Sequence, residues 1–271
     1  MSGMIVAARR RRAVVRALSS VQCAMGAAAC PCAVAAQATP APVVAPQISA
    51  DRLAAFERPN GSLLRTGTLT YTLALTRPGG ATTALGARTV TVSEAQLGGT
   101  PAWLVADART GTVVPTSDSV YLARADLAPL RWTATNAQAR LGASFSRDSV
   151  FGAVDGYQGR ASFALALPGD ALLSAGMLER VLELLPLRDG YHAGASVLLV
   201  EGASQHVVPA EIIVRPPEPI LSGGVMVDAW LVLLRWGANE ERLWIARDAT
   251  RVVRTEQAVA EGVLTSVLQQ P

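Results

Sequence analysis

From residue 60 onward, apolar and polar side chains alternate with a period of two. Leu69, Tyr71, Leu73 and Leu75 are interleaved with Thr68, Thr70, Thr72 and Thr76, the pattern of a strand with one buried and one wet face. Further strands are predicted over 89–93, 102–106, 112–114, 120–123, 131–135, 139–145, 149–154 and 160–167. Turn signals recur between them, at Gly98-Gly99, Arg109-Thr110-Gly111 and Asp155-Gly156, a spacing that argues for an antiparallel meander. One segment changes period: Asp170 is a good N-cap, Leu173, Met177, Val181 and Leu184 follow at helical spacing, and Pro186 stops the run. A single main helix is therefore predicted near 170–185, packed on a sheet by its apolar stripe. Strands resume at 195–201 and 206–214, and Pro216-Pro217-Glu218-Pro219 reads as a stiff crossing. Runs over 225–236, 242–246, 252–257 and 262–268 end the chain. The run 225–236 is apolar on both parities except at Asp228 and Arg235, so its sheet should be covered on both faces.

The amino terminus follows a different rule. Arg9 to Arg12 and Arg16 precede an uncharged, Ala-rich stretch from Ala17 to Ala36, which ends in Ala36-Gln37-Ala38. Basic, then apolar, then small is the order of a secretory signal. A membrane span would need roughly 20 strongly apolar residues, and Gln22 and Pro31 interrupt this one. The Ser-Arg-Arg-x-Phe context of a twin-arginine signal is missing. Residues 1–38 are thus expected to be a removable signal peptide, 39–59 a linker with a short helix over 50–56, and 60–271 a single β domain. The expected location is periplasmic or extracellular. The alternative is a lipoprotein anchored through Cys30, because Ala27-Ala28-Ala29-Cys30 loosely follows a lipobox.

Composition changes once that segment is set apart. All 24 basic residues are arginine and five lie in the signal, leaving 19 against 21 carboxylates and a net charge of −2. The basic character of the full chain belongs to the targeting segment, and nucleic-acid binding loses its basic face. Cys23, Cys30 and Cys32 also lie before residue 38, which removes disulfides, thiolate metal sites and a cysteine nucleophile from the folded part.

The carboxy-terminal half contains runs that resemble those of a known family. Met177 to Leu187 followed by Gly190-Tyr191, then Val227 to Val232, Leu243 to Arg247 and Val252 to Glu256, resemble LolA/LolB-like periplasmic proteins. The nearest subgroup is known only as a domain of unknown function. Asp118 to Leu122 with Leu127 to Arg131 fits an earlier hairpin of the same pattern. This resemblance implies a mainly β (α+β) fold: a strongly curved antiparallel sheet, a half-barrel of about 10–12 strands, wrapped around one main helix near 170–185. It also implies an apolar concavity, which in the named carriers receives acyl chains, and it supplies no catalytic residue.

Catalytic chemistry is sparse. His192 and His206 are the only histidines. Gly202-Ala203-Ser204-Gln205-His206 lacks the second glycine of a nucleophile elbow, and neither histidine has metal-ligand spacing. Glu179 and Glu183 lie i, i+4 beside Arg180 and read as the solvated face of the helix. Gly79-Gly80 and Gly223-Gly224 do not open helices, so they cradle no phosphate. No cofactor, no metal and no enzymatic activity are expected. The aromatic residues suggest a ligand-binding set of Tyr71, Trp103, Trp230 and Trp244, with Asp228 and Arg235 as polar groups that could orient a head group. Expected partners are a lipid or acylated ligand, or a protein of the envelope, with membrane contact at most peripheral. Three classes remain: a non-catalytic carrier of an apolar ligand, a structural or assembly module with a self-filled core, and, third, a hydrolase.

Overall fold

The computed structural model describes residues 54–111, 115–167, 172–174, 177–201, 204–237 and 239–270. The signal segment, residues 39–53 of the linker, the expected strand 112–114 and the expected N-cap Asp170 lie outside the described residues.

Two meanders make one sheet. The first comprises β2 (Gly67–Thr76), β3 (Thr82–Leu97), β4 (Thr100–Thr110), β5 (Thr116–Ala123), β6 (Pro129–Asn136), β7 (Ala139–Phe145), β8 (Ser149–Gly156) and β9 (Gly159–Ala166). The second comprises β11 (His192–Glu201), β12 (Ser204–Ser222), β13 (Val225–Trp236), β14 (Asn239–Ala246), β15 (Val252–Val259) and β16 (Gly262–Leu268). β16 pairs with β2 and joins the meanders into fourteen antiparallel strands, with β9 at one edge and β11 near the other. Two short strands, β1 (Ala54–Ala55) and β10 (Leu172–Ser174), add to β11 in parallel. The sheet is open, not a closed barrel, yet it curls until β9 lies near β12 and β10 near β6.

Each strand forms where its sequence alternates. In β2 the inward set includes Tyr71 and Leu73, both buried, while Thr68 and Thr72 face water. Register shifts at Leu73/Ala74, Tyr121/Leu122, Arg215/Pro217 and Trp244/Ile245 place an extra residue on one strand, which bends it and sharpens the local twist. The expected proline crossing is part of strand β12. Proline donates no ladder hydrogen bond, and the shift between Arg215 and Pro217 lets the strand continue through 216–219.

Three expectations are corrected. The antiparallel sheet has fourteen strands rather than the expected number of about 10–12, because β16 pairs with β2 and fuses the two meanders. The helix near 170–185 is only α1, Leu178–Leu182, preceded by the extended residues of β10. A sheet wrapped around a main helix is therefore not what the chain builds. The linker residues Ala54–Ala55, expected in a short helix, are extended and paired with Ala193 and Gly194.

The connection from β9 to β11 has to carry the chain from one edge of the sheet to the other. Its α1 turn does so in contact with the sheet's inner face, where Met177, Leu178, Val181, Leu182 and Leu185 are all buried. They pack into one core with Val90, Val105, Leu122, Leu234 and Leu243.

A buried ionic cluster as candidate functional site

Residues opposite each other across paired strands share a face. Starting from Tyr71, the register runs to Arg88 on β3 and Arg109 on β4; two residues along β4, Asp107 pairs with Asp118 on β5. In the other direction Leu73 leads through Ser266, Thr255 and Leu243 to Val232, and Glu241 lies two residues from Leu243. One inner face thus carries Arg88, Arg109, Asp107, Asp118 and Glu241 among apolar neighbours.

The α1 turn supplies the rest. Arg88 Nε and Nη2 donate to Asp107 Oδ2 at 2.9 and 2.7 Å, and its Nη1 donates to Glu179 Oε1 at 2.5 Å. Arg180 Nη2 lies 2.8 Å from Glu183 Oε1 and 3.5 Å from Glu179 Oε2. Arg180 also donates to the Tyr71 hydroxyl at 3.4 Å, and that hydroxyl donates to the Val252 carbonyl at 3.1 Å. The Val252 N–H donates to Glu183 Oε1 at 2.5 Å. Arg88, Asp107, Glu179, Arg180 and Glu183 are each under 10 % exposed. The expectation of a solvated Glu179/Glu183 face is therefore wrong: a helix of five residues, all buried, has no wet side on which to place them.

The backbone of β15 explains why Glu183 and Tyr71 converge on Val252. Ile245 pairs with Val252 and Trp244 with Arg254, so Val253 is the extra residue of a bulge. A bulge interrupts the ladder, and its backbone groups take side-chain partners. Glu183 accepts from the Val252 N–H, Tyr71 donates to the Val252 carbonyl, and Ser222 Oγ reaches both the Val253 and Leu268 carbonyls at 3.2 Å.

Three arginines (Arg88, Arg109, Arg180) face five carboxyl groups (Asp107, Asp118, Glu179, Glu183, Glu241) in this interior. Burial disfavours the charged form of Asp118, Glu179, Glu183 and Glu241, and the neighbouring arginines offset it to different extents. Burial opposes the charge of Glu179, yet the guanidiniums of Arg88 and Arg180 hold its carboxyl below the usual range. Burial lifts Glu183 to about 7, against Arg180 and the Val252 N–H. Glu241 is lifted to about 7 by burial and by the Glu179 charge, and Asp118 to about 6 by burial and by Asp107. The Tyr71 hydroxyl is pushed up to about 12, chiefly by burial. Such a site fixes a chain crossing.

The residues expected to bind a ligand do not converge. Tyr71 belongs to the ionic cluster. Trp103 is buried at the β4 end of the core, its indole N–H donating to the Gly61 carbonyl at 3.0 Å and Arg124 stacked 4.3 Å from its ring. Trp244 follows the inward Leu243 and lies on the opposite face, where its N–H donates to Glu218 Oε1 at 2.6 Å and Arg254 covers its ring. Arg235 is on that outer face too, bonded to Glu240 Oε2 at 2.8 Å. Asp228 is exposed and paired with Arg247, which also lies over the half-buried Trp230. His192 and His206 sit on β11 and β12, apart from the cluster, with His192 3.6 Å from Glu211.

The fold defines the class: an open, strongly curved antiparallel sheet with a buried charged interior. Among solved structures, the chain is similar to a β-barrel-like protein of a domain of unknown function (DUF1849) from Brucella abortus. The TM-score is 0.50 at 9 % identity, covering 79 % of this chain and 97 % of that one. A looser likeness, TM-score 0.31 at 10 % identity, is to the hypothetical lipoprotein YmcC from Escherichia coli, covering 77 % and 90 % of the two chains. No protein-family model matches the sequence, and no curated protein does.

Proposed function

We propose that this chain is an exported, non-catalytic protein of the cell envelope that acts as a structural or assembly module. One observation carries the reading: the inner face of the sheet is occupied by the chain's own crossing segment, pinned by Arg88, Glu179, Arg180 and Glu183. Carriage of a lipid or acylated ligand calls for an apolar chamber of roughly 300 Å³ or more. The cavity beside the cluster measures about 30 Å³ and is bounded by Arg88, Arg109, Glu179, Glu241 and Ser266 among others, room for about two waters. Its lining suits water better than an acyl chain.

The test is native mass spectrometry of the protein purified from a host that exports it, with organic extraction of the same sample. A mass equal to the polypeptide alone, and no stoichiometric lipid in the extract, supports the module. A lipid bound one to one would replace that reading with the carrier. Proximity labelling in the native envelope then asks for the defined protein neighbour that a module requires.

A further inference from the structure

The two edges of the sheet are treated differently. At one, β11 is covered by β1 and β10. At the other, β9 pairs only with β8 among the described residues. An uncovered edge offers a row of backbone donors and acceptors to any strand that fits.

Leu167 N–H donates to the Asp148 carbonyl at 2.8 Å, continuing the register in which Ala166 opposes Ser149. In an antiparallel ladder, bonded and non-bonded pairs alternate. Leu165, Phe163 and Ala161 therefore spend their backbone groups on β8, whereas Arg160, Ser162, Ala164 and Ala166 turn theirs to the free side. The side chains of those four residues are also exposed, and β9 approaches β12 without pairing to it.

We infer that β9 is a self-association strand, pairing antiparallel with β9 of a second copy about a two-fold axis. In one register Arg160 opposes Ala166 of the partner and Ser162 opposes Ala164 of the partner. That register is the only one centred on Phe163 that engages all four residues, and it bonds all eight free groups of each copy. It also places Phe163 opposite its own counterpart in a non-bonded pair, the arrangement in which side chains come closest. Phe163 is already held in place on the inner face, lying over Gly152, where an added Cβ would come 2.8 Å from the ring.

Charge and shape agree with a second copy as the occupant. Arg160 is the single charged residue of the strand, and the two-fold sets the two Arg160 side chains at opposite ends, about 20 Å apart. The strand carries no proline, no lysine and no bulge, the usual guards against edge pairing. Its outward side chains (Ser162, Ala164, Ala166) are small enough not to obstruct a second sheet.

Proline tests this directly, because at Ala164 it deletes an N–H on the free side and leaves the β8 ladder intact. Light scattering behind size exclusion, from about 1 to several hundred micromolar, the span in which an interface of one strand pair should associate, is expected to show a dimer that grows with concentration. Ala164→Pro and, independently, Ser162→Pro should remain monomeric across that range. Their far-ultraviolet dichroism and melting temperature should match the parent, which separates lost association from lost folding. A parent that is monomeric throughout, or a folded Ala164→Pro that dimerises as the parent does, overturns the inference.

Discussion

Arg88 answers two buried carboxylates at once, Asp107 and Glu179, which lie 72 residues apart in the chain. Replacing it with methionine strips Asp107 of its hydrogen-bonded counter-charge and leaves Glu179 only the longer contact to Arg180, 3.5 Å away. Removing one partner of a buried ion pair typically costs about 3–5 kcal/mol, so Arg88→Met should lower the urea midpoint sharply. The triple change Arg88→Met, Asp107→Asn, Glu179→Gln should recover much of that loss, because no orphan charge remains. At the solvated Arg160–Asp155 contact, 3.9 Å apart, Arg160→Ala should leave the midpoint unchanged. The raised carboxyls make stability depend on pH. Glu183 and Glu241 move from 4.5 up to about 7, and Asp118 from 3.8 up to about 6. Between those limits the folded chain binds more protons than the unfolded chain, so their contribution is full below about pH 4 and is lost as pH rises through 7. Glu179, held low, acts in the opposite sense and loses its contribution as pH falls. Melting temperature is therefore expected to fall between pH 5 and 8. Glu241→Gln, which removes a carboxyl with no hydrogen-bond partner in the cluster, should flatten that slope; an unchanged slope would count against a lifted Glu241.

At the scale of elements, the strands were legible and the crossing was not. Strand alternation is a local consequence of side chains pointing to opposite faces, so β2, β5 to β9 and β13 to β16 follow from the pattern within a few residues. Helical spacing at Leu173, Met177, Val181 and Leu184 misled because the pattern cannot say whether a partner strand will claim the first of those residues; β11 does. The buried charges leave a readable sign in the strand parity. Arg88 shares parity with Val90 and Val92, Asp107 with Trp103 and Val105, and Asp118 with Val120 and Leu122. A charge on the apolar parity of a strand needs a partner inside. Two further substitutions test the bent elements. Ser222→Ala removes the donor that serves the Val253 and Leu268 carbonyls and should cost about 1–2 kcal/mol in chemical denaturation. Gly86 stands where β3 faces the register shift of β2, at φ +132°, and a Cβ there would come 2.1 Å from the Thr110 carbonyl oxygen. Gly86→Ala should cost at least about 1–3 kcal/mol.

For the whole molecule, export is the proposal most directly checked. The mature protein should begin at Thr39 when sequenced from the envelope fraction; an acylated residue at Cys30 would replace cleavage after Ala38 with lipid anchorage. The strands, the turns and the segregation of every cysteine and the basic excess before residue 39 were determined by the sequence alone, because each is set by neighbours a few residues apart. Only the tertiary structure decided that the sheet stays open, that the segment after β9 crosses against its inner face, and that Glu179 and Glu183 are core residues. Those outcomes depend on pairings such as β16 with β2 and contacts such as Arg88 with Glu179, 91 residues apart. Which charges meet across such distances is a property of the folded arrangement, and the local pattern of the chain does not name the partners.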